Sequence, residues 1–378
     1  MSLRKLFIKA FCLIFSFNEN LRSYIQFVLF NFHLSDRRQS RLFLNKEIKP
    51  NSVLLFEPND VHGEVVLGYV KYFADLGYNV DVILNKDVYK EDPFCRLPHG
   101  YINELYYIGA RKTISLFKSS DKIFGYKHIL ITSATIYAYE GIGCIELMPE
   151  IKRHPSVYIV KHDIEGIKDE LASDKIITLG YFPNYAMVNP HFFYKIQPHS
   201  KNKKTRFVVV GSVRNHRKNH DLLKNVAQKL FQTSTNFEVV VVGNRKVIGV
   251  IKNLKSILKF TGRLNFESMF KEIEKSDFLL FLLDPENEAH NRYITTGVTG
   301  SAQLAYGFNL PSLVHKKFAN FYSLNNKNSL IYEDDIYEKM LEAINMSPEK
   351  YSKMKEELLK TSQRIEKESL INLKKMLK

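Results

Sequence analysis

Short apolar runs alternate with amphipathic segments along most of the chain. After Asn51 the run VLLFEP predicts a buried strand, and residues 61–77 follow with apolar side chains at helical spacing and a stop at Gly77. The run NVDVIL predicts the next strand. Further β-rich runs, each separated from the next by a helix or loop, are ELYYIG, HILITSA, SVYIVKH and KIITLG. Strands that alternate with helices predict parallel βαβ units with a sheet covered on both faces.

The pattern stops and then restarts in the middle of the chain. Residues 181–205 carry three prolines and the lysine-rich stretch KIQPHSKNKKT, which predicts a linker. Predicted strands after it are RFVVVGS, FEVVVVG, KFTG, DFLLFLL and PSLVH, and predicted helices are NHDLLKNVAQKLFQ, NFESMFKEIEKS and GSAQLAYG. We therefore expect an α/β protein with two doubly wound domains, residues 49–200 and residues 201–345.

Both ends of the chain predict helices outside these domains. Residues 1–48 predict an amphipathic helical extension, and residues 346–378 predict a Lys/Glu-rich helical tail with a solvated charged face. Charged residues such as Lys9 interrupt the apolar N-terminal stretch, so no run reaches the ~20 residues of a bilayer span. The stretch also lacks a small-residue cleavage site, which argues against a signal peptide. We expect residues 1–34 to lie on the inner membrane face. Packing of these helices on the protein's own core is the alternative.

Net charge and cysteine spacing indicate which classes of ligand the protein can bind. The 378 residues carry a formal net charge of +15, which favours anionic partners such as nucleotide diphosphates, acidic lipids or nucleic acid. No nucleic-acid motif is visible, so we expect no nucleic-acid partner. The three cysteines are far apart without zinc spacing, which predicts neither a disulfide framework nor a zinc site and fits a reducing cytosol.

The clearest chemical signal follows the first strand of the second half. Gly211 ends that strand, and Arg214, Arg217 and Lys218 come directly before a helix. In parallel sheets ligands collect outside the carboxyl ends of strands, where helix N-termini present free backbone N–H groups. Cations beside such a helix start suit a diphosphate.

This stretch resembles the opening of the C-terminal domain of retaining GT-B glycosyltransferases, in particular the family 4-like (glycosyl transferases group 1) enzymes. Arg217-Lys218-Asn219 matches the Arg–Lys–Asn or Arg–Lys–Gly of that family, and residues 261–285 are similar to its next segment. The resemblance implies two Rossmann-like domains (GT-B), a nucleotide-diphosphate sugar as donor and no cofactor. It also implies that Arg217 and Lys218 are catalytic, because they stabilise the leaving diphosphate.

The sequence departs from the family where the family carries two glutamates. The turn at residues 307–311 sets the register and places these positions at Ile294 and Ala302. Residues 295–301, TTGVTGS, stand there instead and predict a diphosphate cradle at a helix start. The upstream polar residues are expected to bind the donor sugar or the diphosphate. The donor-binding set is Gly211, Arg214, Gly243, Asn244, Gly262, Arg263, Glu288, Asn291, Arg292, Thr295, Thr296, Gly297, Gly300 and Ser301.

The first half offers the acceptor side. His62, Gly63 and Glu64 occupy the position of the family's first loop, which faces the acceptor and the leaving diphosphate. The strand VYIVKHDIEG resembles the segment that carries a cleft histidine in many GT-B enzymes, so the resemblance makes His162 a catalytic candidate.

No metal motif is predicted. The pair Asp334-Asp335 is interpreted as a helix cap and first turn, and phosphate charge is expected to be neutralised by Arg217, Lys218 and a helix dipole. The predicted function is sugar transfer to a glycan or lipid-linked acceptor in bacterial-type surface polysaccharide biosynthesis (lipopolysaccharide or capsule). It would be carried out by a cytoplasmic enzyme peripheral to the inner membrane face. A sugar-nucleotide epimerase of the same superfamily and a non-catalytic basic binding protein stay open.

Overall fold

The computed structural model describes residues 34–59, 62–133, 154–165, 173–197, 199–213, 216–243 and 252–378. Its first half forms a parallel sheet of seven strands in the order β3-β2-β1-β4-β5-β6-β7. The strands are β1 Ser52–Glu57, β2 Asn79–Leu84, β3 Glu104–Tyr107, β4 His128–Ile131, β5 Val157–Lys161, β6 Ile176–Thr178 and β7 Ala186–Met187. The helices described in this half are α1 Leu34–Asn45, α2 Gly63–Asp75, α3 Lys86–Lys90 and α4 Ala110–Ser119.

The second half forms a separate parallel sheet of six strands in the order β10-β9-β8-β11-β12-β13. These strands are β8 Thr205–Val210, β9 Phe237–Val242, β10 Leu258–Gly262, β11 Phe278–Leu280, β12 Ser312–His315 and β13 Leu330–Tyr332. The helices are α5 His220–Thr233, α6 Phe266–Glu274, α7 Glu288–Thr295, α8 Gly300–Gly307, α9 Lys316–Ala319, α10 Ile336–Ile344 and α11 Pro348–Met376.

Both sheets confirm the predicted doubly wound α/β architecture. In each one the strand order reverses beside the first strand, between β1 and β4 and between β8 and β11. Such a switch point opens a crevice at the carboxyl ends of the strands. Apolar side chains cover both faces of each sheet, as the continuous apolar runs predicted.

The structure differs from the sequence predictions at several elements. β7 lies inside the predicted linker and pairs with β6. The pattern of apolar residues did not predict α7. Asn287 caps this helix, because its side chain accepts a hydrogen bond from the Ala289 N–H at 3.0 Å. The predicted strand DFLLFLL shortens to β11 because Leu282 has a φ of 53°. The predicted helix cap is confirmed at Asp335, whose side chain accepts from the Tyr337 N–H at 2.8 Å.

The tail is a long helix that contacts both halves of the molecule. Near its start, the hydroxyl of Tyr351 donates to the Asp277 carbonyl of the second half at 3.1 Å. Near its end, Leu373 is buried in the first core, and Tyr158 donates to the Met376 carbonyl at 2.7 Å. α11 is therefore more than the solvated tail that its charge pattern predicted.

The predicted N-terminal extension lies mostly outside the described residues. Its described part, α1, packs on the first half through Phe43, whose ring lies 5.3 Å from that of Tyr106 between centroids. The stretch expected on the membrane face, residues 1–34, lies outside the described part of the chain apart from Leu34, so its two alternatives stay open. Among the described residues, no helix combines the length and apolar character needed to cross a bilayer.

Candidate functional site

The candidate site lies where the two halves meet at the carboxyl ends of their strands. The segment after β5 contacts the loop between α7 and α8: the Val298 N–H donates to the His162 carbonyl at 3.1 Å. The Ile164 N–H likewise donates to the Thr296 carbonyl at 2.6 Å. These backbone contacts bring the predicted acceptor-side and donor-side groups to one cleft.

Lys218 is a buried cation at the centre of the second half's crevice. It is 6% exposed, and its Nζ donates to the Ser301 hydroxyl at 2.7 Å and to the Phe281 carbonyl at 3.2 Å. Burial lowers its pKa to about 8. Within the described part of the chain no carboxylate pairs with it. A buried charge without a counter-ion is costly, so this position favours an anionic ligand.

Two glycines let backbone segments approach each other beside Lys218. Gly211 has a φ of 107°, a backbone conformation that is strained in residues with a side chain. A Cβ on Gly243 would lie 2.1 Å from the Gly211 carbonyl oxygen, so only glycine fits there. The Gly243 N–H donates to the carbonyl of Gly262 at 3.0 Å, which joins the ends of β9 and β10.

The start of α8 forms the other wall of this crevice. Thr299 caps the helix, and its hydroxyl accepts from the Ser301 N–H at 3.3 Å. Gly300 is exposed at the first turn, and a Cβ there would meet nothing closer than 3.8 Å. The positive end of the helix dipole and the ammonium of Lys218 therefore act on the same space.

The remaining predicted donor-side residues divide into groups. Arg292 forms an ion pair with Asp163 across the cleft at 2.9 Å, and Arg263 pairs with Glu91 of the first half at 2.5 Å. Asn291 Oδ1 and Thr296 Oγ1 are buried without a hydrogen-bond partner in the described structure. Residues at the surface of this region are Arg217, Glu288 and Thr295. Arg214 and Asn244 lie outside the described residues.

On the first half, Glu57 ends β1 as a fully buried carboxylate. It accepts hydrogen bonds from the Asn59 N–H at 2.8 Å, from the Thr132 hydroxyl at 2.8 Å and from the Ser133 hydroxyl. Burial raises the pKa of Glu57 to about 7, although nearby His62 and the hydroxyl donors oppose the rise. A carboxyl group with this pKa exchanges its proton near neutral pH.

Two histidines stand at the mouth of the cleft with opposite pKa shifts. The rings of His62 and His162 lie 4.3 Å apart between centroids. Burial opposes the charge of His62, but interactions with Glu64 and Glu57 outweigh burial and raise its pKa. Burial and the neighbouring His62 lower the pKa of His162 to about 3.

The hydrogen bonding of His162 fixes its tautomer. Its Nε2 lies 3.2 Å from the Thr132 carbonyl oxygen, which only accepts hydrogen bonds. The neutral ring therefore carries its hydrogen on Nε2 and keeps a lone pair on Nδ1.

A charged residue of the second half, Arg217, acts electrostatically on His62 in the first half. The positive charge of Arg217 opposes protonation of His62, so the two side chains share one electrostatic field across the cleft. Gly63 follows at the first turn of α2, where a Cβ would lie 2.7 Å from Val88 and 3.0 Å from Phe266. The acceptor-side and catalytic candidates thus lie together.

Sequence reasoning missed the buried cluster around Glu57. Its one local signal was a charged residue at the end of the apolar run SVLLFE. The partners Thr132 and Ser133 lie about 75 positions further along the chain, so spacing could not reveal them. The two positions without glutamates carry core side chains, since Ala302 is buried and Ile294 packs against the core of the second half.

These features define a class of fold, which comparison with solved structures identifies as GT-B. A glycosyltransferase from Rickettsia africae ESF-5 is 12% identical, with 87% of this chain and 98% of that chain covered and a TM-score of 0.54. A putative UDP-N-acetylglucosamine 2-epimerase from Listeria monocytogenes is 8% identical, with 84% and 95% covered and a TM-score of 0.51. The HepE protein of Anabaena in complex with UDP is 12% identical, with 86% and 100% covered and a TM-score of 0.50.

At these identities the likeness shows the fold alone. No protein-family model matches the sequence, and no curated protein sequence matches it either. In the parts of the chain that the structure describes, no group of three His, Cys, Asp or Glu side chains is arranged to hold a metal ion.

Proposed function

We propose that this protein is a glycosyltransferase that moves a sugar from a nucleotide-diphosphate donor to a glycan or lipid-linked acceptor. The observation that carries the proposal is Lys218, a buried ammonium at a switch point of the second sheet with no described carboxylate beside it. A donor diphosphate would supply the missing negative charge.

The donor diphosphate would lie between Lys218, Arg217 and the start of α8. During transfer the anomeric carbon becomes cation-like while the nucleotide diphosphate leaves with growing negative charge. Fixed cations and helix N–H groups that stabilise this charge lower the barrier without reorganising. This arrangement neutralises the phosphates with protein groups, so we propose that transfer is metal-independent.

The acceptor hydroxyl must lose a proton as it attacks the sugar. We assign its removal to His62, because Glu64 and Glu57 raise the pKa of this histidine above its ordinary value and so strengthen it as a base. Glu64 and Glu57 would stabilise the imidazolium that forms. His162, neutral beside it, would offer Nδ1 as a hydrogen-bond acceptor to the substrate.

Two atoms of the predicted donor-binding set, both buried without a described hydrogen-bond partner, extend the donor site beyond the diphosphate. Asn291 Oδ1 and Thr296 Oγ1 are buried near the loop that meets His162. Buried polar atoms normally find partners, so we assign them to hydroxyl groups of the donor sugar.

A sugar-nucleotide epimerase is the second candidate. Glu57 favours it, because an acid–base group with a pKa of about 7 suits proton transfer at a sugar carbon. The Listeria protein named as a putative epimerase shares the fold.

The decisive experiment has two stages. A thermal-shift screen of nucleotide diphosphates and nucleotide sugars identifies the donor, because a ligand that binds the folded state stabilises it according to its concentration over Kd. Product analysis with that donor then separates the candidates: a transferase needs an acceptor for turnover, and an epimerase changes the sugar without one. Absence of stabilisation by every nucleotide would overturn both.

Nucleotide affinity should depend on pH through Lys218. The free protein holds the Lys218 pKa near 8, and a bound diphosphate raises it, so binding takes up a proton above pH 8. We expect affinity to fall by less than about twofold from pH 7.5 to 8 and then by more than about tenfold by pH 9.5. Calorimetric titration measures this. The Lys218→Met variant should bind weakly at every pH, and an unchanged pH slope in that variant would contradict the assignment.

A glycan or lipid-linked acceptor indicates where in the cell the protein acts. We propose a role in surface polysaccharide biosynthesis, lipopolysaccharide or capsule, at the cytoplasmic face of the inner membrane. The basic and aromatic sequence of residues 1–34 supports membrane contact there.

A further inference from the structure

One face of α1 is exposed and carries only basic, apolar and amide side chains. The opposite face is buried against the first half through Asp36, Gln39, Ser40 and Phe43. The exposed face, called here the α1 surface, consists of Arg37, Arg38, Arg41, Leu42, Leu44 and Asn45. Helical spacing places these residues on one side, so α1 is amphipathic in an unusual sense: its outer side combines arginine with leucine.

Three exposed apolar side chains lie on α1 or on the short helix next to it. Leu42 is 49% exposed and Leu44 is 40% exposed. Phe124, 38% exposed, stands in the short helix at Asp121–Gly125, which contacts the end of α1. Lys122 of that helix donates to the Leu44 carbonyl at 3.1 Å. Leu42 and Leu44, two positions apart, lie at opposite edges of the exposed side of α1 with basic side chains between them, and Phe124 lies on the neighbouring short helix.

The same surface is strongly cationic. Residues 34–49 contain five basic and two acidic side chains, and one of the acids, Asp36, is buried and lies 3.7 Å from Lys86. Arg38 and Arg41 form no ion pair with any residue that the structure describes. Arg38 and Arg41 beside exposed leucines match an anionic lipid interface, which offers phosphates above an apolar layer.

The position of α1 connects this surface with the cleft. Asp36, near its N-terminal end, lies beside Lys86 and Gly109, which follow the carboxyl ends of β2 and β3. That edge of the first sheet is the one that faces the candidate site. Residues 1–33 join α1 at the same end and contain seven phenylalanines, four basic residues and one acid.

We propose that the α1 surface, extended by Phe124, docks on an anionic lipid bilayer. Arg38 and Arg41 contact lipid phosphates, and Leu42, Leu44 and Phe124 enter the boundary between headgroups and acyl chains. A lipid-anchored acceptor would then reach the cleft from the membrane side. Docking needs no chemistry in the cleft, so it is measured without any substrate and stands apart from the proposed function.

The first test measures binding of the full-length chain to vesicles. Phosphatidylcholine vesicles with about 30% phosphatidylglycerol should bind the protein, and pure phosphatidylcholine vesicles should bind it far less. Arg38→Glu with Arg41→Glu should weaken binding by about tenfold or more. Lys353→Glu with Lys374→Glu, on the exposed face of α11, changes the net charge equally and should keep wild-type affinity.

The second test asks whether this surface itself enters the lipid. The protein contains no tryptophan, so Leu44→Trp provides a unique fluorophore, and Leu359→Trp on α11 is its matched exposed control. Brominated lipids should quench Leu44→Trp and leave Leu359→Trp unchanged. Equal vesicle affinity of both charge-reversed pairs would overturn the proposal. So would an unquenched Leu44→Trp in the vesicle-bound chain, because residues 1–33 would then carry the binding.

Discussion

Replacing Lys218 by alanine is expected to lower kcat by about 100-fold or more, the scale of losing one preorganised donor to a developing oxyanion. The reason is its position: its Nζ contacts Ser301 at the start of α8, and no described carboxylate competes for its charge. Steady-state kinetics with the donor found by thermal shift measure the effect. Turnover near the wild-type value would remove Lys218 from the site.

Lys218→Met separates catalysis from folding, because methionine nearly preserves the volume of the side chain and removes the charge. Its kcat should fall as far as that of the alanine variant. The exposed Lys353→Met is the matched control and should stay fully active.

Burial of the charged Lys218 side chain should lower the free energy of unfolding at neutral pH, and this loss should disappear as the pH rises. The folded-state pKa of Lys218 lies near 8, below its unfolded value of 10.5, so burial of the charged form costs stability at neutral pH. Between pH 8 and 10.5 the unfolded state binds more protons, and wild-type stability rises relative to Lys218→Met. Chemical denaturation at pH 7 and pH 10 checks this sign.

Loss of the His62 side chain should have the second large effect, a fall in kcat/KM of about 100-fold or more, as expected for a general base. His62 has a φ of 70°, so alanine would add backbone strain. His62→Asn is the better variant, since asparagine tolerates this left-handed conformation. The exposed His99→Asn serves as control.

The pH profile identifies His62 more sharply than the loss of rate. Activity should rise with pH through the raised pKa of His62, because a base must be unprotonated to accept the hydroxyl proton. Glu64 helps to raise that pKa, so Glu64→Gln should move the acidic limb to lower pH. A limb that stays in place in Glu64→Gln would assign the titration to another group, with Glu57 the nearest one.

The donor half of the site was predictable because its signal is local. Gly211, Arg217 and Lys218 lie within eight positions, between a strand and a helix that apolar spacing identifies. The sequence did not distinguish the two cations. Arg217 is exposed and Lys218 is buried, because residues 281 and 301, far along the chain, close over Lys218 only.

The acceptor half depended more on tertiary contacts. His62 and His162 were both candidates, but Glu64 and Glu57 raise the pKa of His62, whereas burial and the neighbouring His62 lower that of His162. Arg263 was expected on the donor and is held by Glu91 of the first half. The C-terminal tail was predicted as a helix with a solvated charged face, but α11 packs on both halves.

The sequence by itself determined the fold class, because spacing of apolar residues at periods of two and 3.6 is a local property that survives without the rest of the chain. It also determined that cations precede a helix at the end of a buried strand. Only the tertiary structure decided which of them is buried, which histidine is the stronger base and which carboxyl titrates near neutral pH. Burial and pKa are set by groups that folding brings together from distant positions, and no spacing along the chain records them.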